Sequence, residues 1–379
     1  MTQVQLSSLD VSTSLRSIAE QFDFVGDVLD VQRYGSGNVN DTFLVTLASD
    51  PREKAILQKV NQQVFRRPEL IILNMRAFME HIWTTNGRCA DTQGRRWETP
   101  DIISAKDGAD YWRDPEDGFW RMTTFVKDAQ TYDTIRDRRH AGEIGYALGR
   151  FHSLISDLSV EKLHDTLEGF HITPRYLAHY DAVVAKGQHK SSPDIEYGRN
   201  FVARRRAWAS VLEAAVQDGE LVLRPIHGDP KVNNILIDDA TGQAVSIIDL
   251  DTVKPGLVHY DIGDCLRSCC NPLGEETEAF DAVRFETDLC QTILEGYLAE
   301  ARHFMTGKDY DYIYDAMRLI AFELGLRFFT DYLEGNVYFK TKDAEHNLRR
   351  ALVQFRLTES IEAQAGAIRA IVASQRIKP

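Results

Sequence analysis

Between residues 221 and 264, acidic and amide side chains recur at spacings that few folds can use. The stretch reads Ile226-His227-Gly228-Asp229-Pro230-Lys231-Val232-Asn233-Asn234, then Ile248-Asp249-Leu250-Asp251, then Tyr260-Asp261-Ile262-Gly263-Asp264. Transfer of a phosphoryl group needs one carboxylate to orient the attacking hydroxyl and accept its proton. It also needs an amide oxygen and a second carboxylate to hold magnesium on the triphosphate. Asp229, Asn234 five residues later and Asp249 fifteen beyond that supply this set. Asp229 and Asn234 share a loop opened by His227-Gly228, and Asp249 lies in the apolar run 245–250, which reads as a strand whose end can project a side chain into a cleft. The bland alternative is a polar turn whose Asp and Asn cap helices. His227 reads as a structural residue of the loop, Asp251 as a metal aid or a brace, and Asp261 and Asp264 as caps of the following helix.

The chain has 379 residues, enough for two lobes or domains. It carries 44 Lys and Arg against 57 Asp and Glu, a net charge of −13, which argues against a nucleic-acid partner. The N-terminal stretch lacks a positive region followed by an apolar run, and no segment approaches the ~20 apolar residues of a bilayer span. Four of the five cysteines, Cys265, Cys269, Cys270 and Cys290, cluster without paired zinc-site spacing; with Cys89 they read as reduced thiols. A cytoplasmic protein with no membrane partner is expected.

The first ~125 residues read as strand-rich. Residues 30–33 enter the turn Tyr34-Gly35-Ser36-Gly37-Asn38, strands follow at 42–46 and 54–60, Pro68 and Glu69 open a helix running to Trp83, and a hairpin turns at 114–118. Past Lys127 the spacing becomes helical, over 139–158, over 200–217 and in several helices from Phe280 onward. The outline is a small sheet-rich lobe, a connector near Phe125 to Asp128 and a larger helical lobe.

Gly35 and Gly37, between two strands, suit a turn that brings backbone N–H groups close to phosphates. Asn40 stands where a third glycine would complete a dinucleotide fingerprint, and Gly307-Lys308 is followed by Asp309, so no Walker A sequence is present.

The pattern H-G-D-x-x-x-x-N followed by I-D-x-[DE] resembles the catalytic loop and metal-binding aspartate of the aminoglycoside phosphotransferases, choline kinases and their protein-kinase-like relatives. That resemblance implies an α+β, two-lobed protein-kinase-like fold. Residues 1–126 would form an N-terminal nucleotide-binding lobe with an antiparallel sheet and one helix. Residues 127–379 would form a larger, mostly helical catalytic and substrate-binding lobe. ATP and Mg2+ are the implied cofactors, with Asp229 as base and Asn234 and Asp249 on the metal. Adenine would lie against Phe125 and Val126. A lysine on the third strand is expected to anchor phosphate. Lys59 is the candidate, although strand alternation admits Gln58 instead, in which case Gln58 and Asn74 could form a neutral amide pair.

Further phrases resemble the N-acetylhexosamine 1-kinase branch: Val39-Asn40-Asp41-Thr42 after the glycine turn, Ile56-Leu57-Gln58-Lys59, Trp120-Arg121-Met122, Gly169-Phe170-His171, Ile248-Asp249-Leu250-Asp251-Thr252, and residues 326–333 with Tyr338-Phe339. This implies transfer of the γ-phosphate to the anomeric hydroxyl of an amino sugar, with Asp229, Lys231, Arg327 and Tyr338 at the sugar. Asn38 stands where that branch is expected to carry a histidine. Plainer roles are open: Arg327 paired with Asp331 on a helix face, Tyr338 in the core, Lys231 as a solvated loop lysine. Rival acceptors are an aminoglycoside, a choline-like amine or homoserine, and a rival of another class is a kinase-like module without turnover. A monomer or homodimer is expected.

Overall fold

The computed structural model describes residues 8–35, 39–49, 53–85, 94–187 and 191–376. Helix α1 (Ser8–Ala19) precedes strands β1 (Val28–Arg33), β2 (Asp41–Leu47) and β3 (Lys54–Val60). Helix α2 (Glu69–Thr85) then leads to β4 (Ile102–Ile103), β5 (Trp112–Arg113) and β6 (Phe119–Thr124). These strands form one antiparallel sheet in the order β1-β2-β3-β6-β4, with β5 also on β6. Alternation gives the sheet two unlike faces. Phe43, Val45, Ala55, Leu57, Trp120 and Met122 form an apolar cluster with Ile18 and Ala19 of α1. The opposite face carries Ile56 and Gln58 of β3 beside Thr123 and Arg121 of β6, paired in register.

The rest is mostly helical. After β7 (Ala129–Gln130) come α3 (Arg138–Ile155), α4 (Thr173–Ala185), α5 (Pro193–Arg205) and α6 (Val211–Gln217). The expected single helix over 200–217 is two helices, divided by a 3-10 turn at Arg206–Trp208 and restarted after Ser210, a residue type that competes for backbone hydrogen bonds. Short strands β8 (Arg224–Ile226), β9 (Ile235–Asp238), β10 (Ala244–Ile247) and β11 (Lys254–Gly256) frame the motif segment. They form a β10-β9-β7 sheet and a β11-β8 pair. Helices α7 (Val258–Cys269), α8 (Thr287–Ala301), α9 (Gly307–Glu334), α10 (His346–Ala363) and α11 (Ala365–Gln375) complete the chain.

Two features fix this scaffold. Helix α9 opens with a capping box between Thr306 and Asp309 and stops at Gly335, whose φ of 94° is left-handed. Helices α3 and α8 approach at Gly145, where a Cβ would fall 2.0 Å from the Ile293 carbonyl oxygen. No helix among the described residues is long and apolar enough to cross a membrane. Cys265, Cys269, Cys270 and Cys290 are free and buried, as expected; Cys89 lies outside the described residues.

Candidate active site

The loop that begins at His227 is held from behind. Asp261 lies inside α7, fully buried, and accepts from the backbone N–H of His227 at 2.6 Å and of Gly228 at 2.8 Å. His152 of α3 stands 2.8 Å from the same carboxylate. The expected capping role of Asp261 is therefore corrected: a position within a helix cannot cap it, and its oxygens brace the loop. Burial alone would raise the Asp261 carboxyl; its hydrogen bonds and His152 hold it below the usual range. The Asp229 backbone N–H donates to His227 Nδ1 at 3.2 Å, so Nε2 carries the proton and donates to the Ile248 carbonyl at 3.0 Å. Burial lowers the His227 pKa, and the neutral ring ties the Asp229 loop to Ile248, between β10 and Asp249. Its structural role matches the sequence reading.

Lys231 donates to Asp229 Oδ2 at 2.8 Å. Burial works against the Lys231 charge, yet Asp229 raises its pKa above the ordinary lysine value. Asn234 is buried and spends its amide nitrogen on the Asp229 carbonyl at 2.8 Å, with a longer contact of 3.4 Å to the carboxylate. That leaves Oδ1, an oxygen of the kind hard cations take.

Asp249 follows β10 with φ 67° and ψ 60°, a left-handed conformation a non-glycine residue adopts at a cost. The residue is exposed, and the protein around it nonetheless desolvates its carboxyl. Desolvation and the neighbouring Asp251 and Asp229 push its carboxyl up to about 7, against the pull of Lys231 and Arg121. Asp251 is a brace: it accepts from Asn40 Nδ2 at 2.6 Å and pairs with Arg121, while its carbonyl accepts from Thr166 at 2.8 Å. Among the described residues no three His, Cys, Asp or Glu side chains form a metal-binding group. The donor set nonetheless fits magnesium, which takes one or two protein carboxylates with phosphates and water. A carboxyl driven upward by two like charges is one that a divalent cation would relieve.

On the sheet side, Gly35 adopts φ 73° with open space around it, as a tight turn requires, and Gly37 and Asn38 lie outside the described residues. Phe125 meets the edge of Tyr34 at 6.0 Å between ring centroids, and Val126 packs with Leu236, Val245 and Ile248, giving the connector an apolar bed. The expectation for Lys59 is corrected. Its ammonium lies 5.4 Å from the Trp120 ring centre and 3.9 Å from Asp114, on the face turned toward α1. Alternation puts Gln58 on the other face, where Oε1 accepts from Arg121 at 2.7 and 3.0 Å. Asn74 does not pair with Gln58; it donates to the Val253 and His164 carbonyls at 2.7 and 2.8 Å and pins α2 to the motif segment.

Residues 30–299 match the APH phosphotransferase enzyme family. The chain belongs to that family. Solved structures agree on the fold at low identity. An aminoglycoside phosphotransferase from Alicyclobacillus acidocaldarius has a TM-score of 0.62 at 14% identity, covering 98% of each chain. A microcompartment-associated aminopropanol kinase scores 0.60 at 15%, covering 94% of this chain and 98% of its own. A choline kinase from Cryptosporidium parvum scores 0.58 at 13%, covering 95% and 97%.

This phosphotransferase has a cavity of about 310 Å³ lined by Tyr176, His179, Arg327, Glu334, Tyr338 and Phe339, among others. Arg327 and Tyr338 thus meet at one pocket. The Arg327 guanidinium sits 5.0 to 5.9 Å from the ring centres of Tyr176, Phe170, Phe339 and Tyr338. Burial opposes its charge, while Tyr176, Tyr338, Glu323 and Asp229 favour it, which places the pocket within electrostatic reach of the loop. The alternative pair with Asp331 does not form: Asp331 accepts the backbone N–H groups of Val337, Tyr338 and Phe339 at 2.7 to 3.1 Å. Tyr338 is 53% exposed, so it is a wall of the cavity and not core.

Sequence reasoning assigned no part to the link between pocket and loop. His171 stands 3.0 Å from Glu323 of α9 and 2.8 Å from the Gly228 carbonyl. Burial depresses a lone imidazole, but Glu323 raises this one. Its signal in the sequence was weak: a histidine between Phe170 and Ile172, with the partner glutamate about 150 residues away in an apolar helix.

Proposed function

We propose that this phosphotransferase moves the γ-phosphate of MgATP to a hydroxyl of a small, neutral, polyhydroxylated acceptor, and that the acceptor is an N-acetylhexosamine attacked through its anomeric oxygen. The transfer reading is supported by one observation: Asp229, Asn234 and Asp249, separate in sequence, belong to segments joined by hydrogen bonds, with the Asp229 charge acting on the Asp249 carboxyl. In this reading residues 1–126 form the nucleotide lobe and residues 127–379 the catalytic and acceptor lobe. Phe125 and Val126 offer the adenine a surface, and Gly35 with Gly37 lets backbone approach the phosphates.

Asp229 orients the acceptor hydroxyl toward phosphorus and accepts its proton as the oxygen–phosphorus bond forms and ADP departs. Lys231, hydrogen-bonded to Asp229, holds that carboxylate in place. Asn234 and Asp249 would hold magnesium, which supplies charge neutralisation to the triphosphate. Most of the acceleration comes from positioning, since the transferred group needs little covalent help.

The choice among acceptors is argued from Arg327. Aromatic cages of this size bind organic cations. Here the protein's own guanidinium already fills the cage. A choline-like or aminoglycoside ammonium would meet a fixed like charge there. A neutral sugar would meet hydrogen-bond donors and ring faces. The test is ADP release with a panel of N-acetylglucosamine, N-acetylgalactosamine, choline, aminopropanol, homoserine and kanamycin. Turnover with an acetamido sugar and none with the amines is expected. Turnover confined to amines would remove the sugar reading, and none with any acceptor would favour a non-catalytic module.

A further inference from the structure

A triphosphate cleft needs positive charge on its sheet side, and Lys59, near the end of β3, lies on the opposite face. The other β3 lysine, Lys54, is exposed at the connector end, 5.4 Å from the Phe125 ring centre. The cation directly across the ladder from Gln58 is Arg121. Its guanidinium donates to Gln58 through Nε and Nη2, contacts Met75 Sδ at 3.3 Å through Nη1, and pairs with Asp251. Arg121 is 2% exposed and Asp251 3%. The second oxygen of Asp251 takes Asn40, whose own Oδ1 accepts from the Asn61 backbone at 3.0 Å. The segment after the glycine turn, the β3–β6 ladder and the Asp249 turn therefore meet at one carboxylate, two residues beyond Asp249. A buried ion pair adds little net stability over apolar packing of the same volume, so its presence here calls for a positional explanation.

We propose that Arg121 is a positioning residue for MgATP: through Asp251 it fixes the Asp249 carboxylate relative to the sheet that carries the phosphates, in place of a strand lysine. The inference rests on the reading of this cleft as an ATP site. Arginine suits the task because its planar fork satisfies Gln58 and Asp251 together, which a lysine ammonium cannot match.

The test is calorimetry of a non-hydrolysable ATP analogue, with magnesium and with EDTA, on the full-length protein and its Arg121→Lys and Arg121→Met variants, together with steady-state kinetics. With magnesium, Arg121→Met should bind about tenfold more weakly or worse, and Arg121→Lys should recover part of the loss while staying roughly threefold weaker than wild type. With EDTA the folded variants should bind like wild type, and the acceptor KM should stay within about twofold, because the effect runs through the metal carboxylate. Magnesium-dependent affinity equal to wild type in the folded variants would overturn the proposal, as would an equal loss with EDTA or a matching rise in acceptor KM. If Arg121→Met does not fold, Arg121→Lys alone decides by the same criteria. Failure of the wild type to bind nucleotide would overturn the ATP reading and this one with it; binding that the variants leave unchanged overturns only this one.

Discussion

His152 of α3 and Asp261 of α7 meet at 2.8 Å behind the loop that carries Asp229, and both side chains are essentially sealed from solvent. The same carboxylate holds the first two backbone N–H groups of that loop. Asp261→Ala would orphan both, each costing ~1–3 kcal/mol when buried. A loss of at least about 2 kcal/mol in denaturant unfolding is expected, with turnover lost even where the variant folds. Asp261 is held below the usual carboxylate range, so its contribution is present above pH ~4 and is lost as pH falls below that. Wild-type unfolding followed against pH, compared with Asp261→Asn, measures it; parallel curves would refute the assignment.

Asp229→Asn should reduce turnover by roughly 10²–10⁴-fold while nucleotide affinity barely changes, because the amide cannot take the hydroxyl proton. Single-turnover phosphate transfer beside equilibrium nucleotide binding separates the two. Near-normal turnover would remove Asp229 from the base role.

Asp249 should make the magnesium requirement pH-dependent. Its carboxyl sits near 7 without metal, so protons compete with the cation below that value. Apparent magnesium affinity should fall as pH drops from 8 to 6, at most about tenfold per unit, and Asp249→Ala should lower that affinity at every pH. Because the folded pKa is raised, Asp249 holds its proton more tightly in the folded state and destabilises the metal-free protein as pH rises through 4 to 7. Asp249→Asn should then melt higher than wild type at pH 8 without magnesium. Magnesium titrations of activity and melting curves at several pH values check both signs.

Arg327→Met should raise the acceptor KM by about tenfold or more and leave the KM for MgATP within about twofold, since the guanidinium is proposed to serve the acceptor side. Emptying the ring cage should also let an amine such as choline inhibit competitively against the sugar. An unchanged acceptor KM would make Arg327 a structural residue only.

The seam between α3 and α8 makes a prediction about stability alone. Gly145→Ala drives a methyl into the Ile293 carbonyl and should cost about 1–3 kcal/mol, whereas Gly142→Ala meets only the Thr292 methyl at 3.6 Å and should gain up to about 1 kcal/mol. Chemical denaturation of the two variants compares them directly; equal effects would deny the close approach.

How far the sequence could be read depended on how local each constraint was. The β2 and β3 runs announced themselves by alternation, and the spacing of Asp229, Asn234 and Asp249 announced the loop, because each pattern lies within about twenty residues. The orientation of Lys59 was undetermined, since a strand's period defines two faces without saying which one meets the cleft. That choice is made by α1, which covers the Leu57 side. Arg121 with Asp251, His171 with Glu323 and His152 with Asp261 are separated by 109 to 152 residues, and no local periodicity encodes such pairings. The break between α5 and α6 was hidden because both halves carry helical spacing and only Ser210 interrupts them.

The caged guanidinium has an evolutionary corollary. Its four rings come from two short stretches, at residues 170–176 and 338–339, and the charge itself from α9. None of these residues belongs to the set proposed to handle nucleotide and cation. On the proposed assignment, lineages can exchange one acceptor for another by rewriting a few codons in those stretches, with the chemistry of transfer inherited intact.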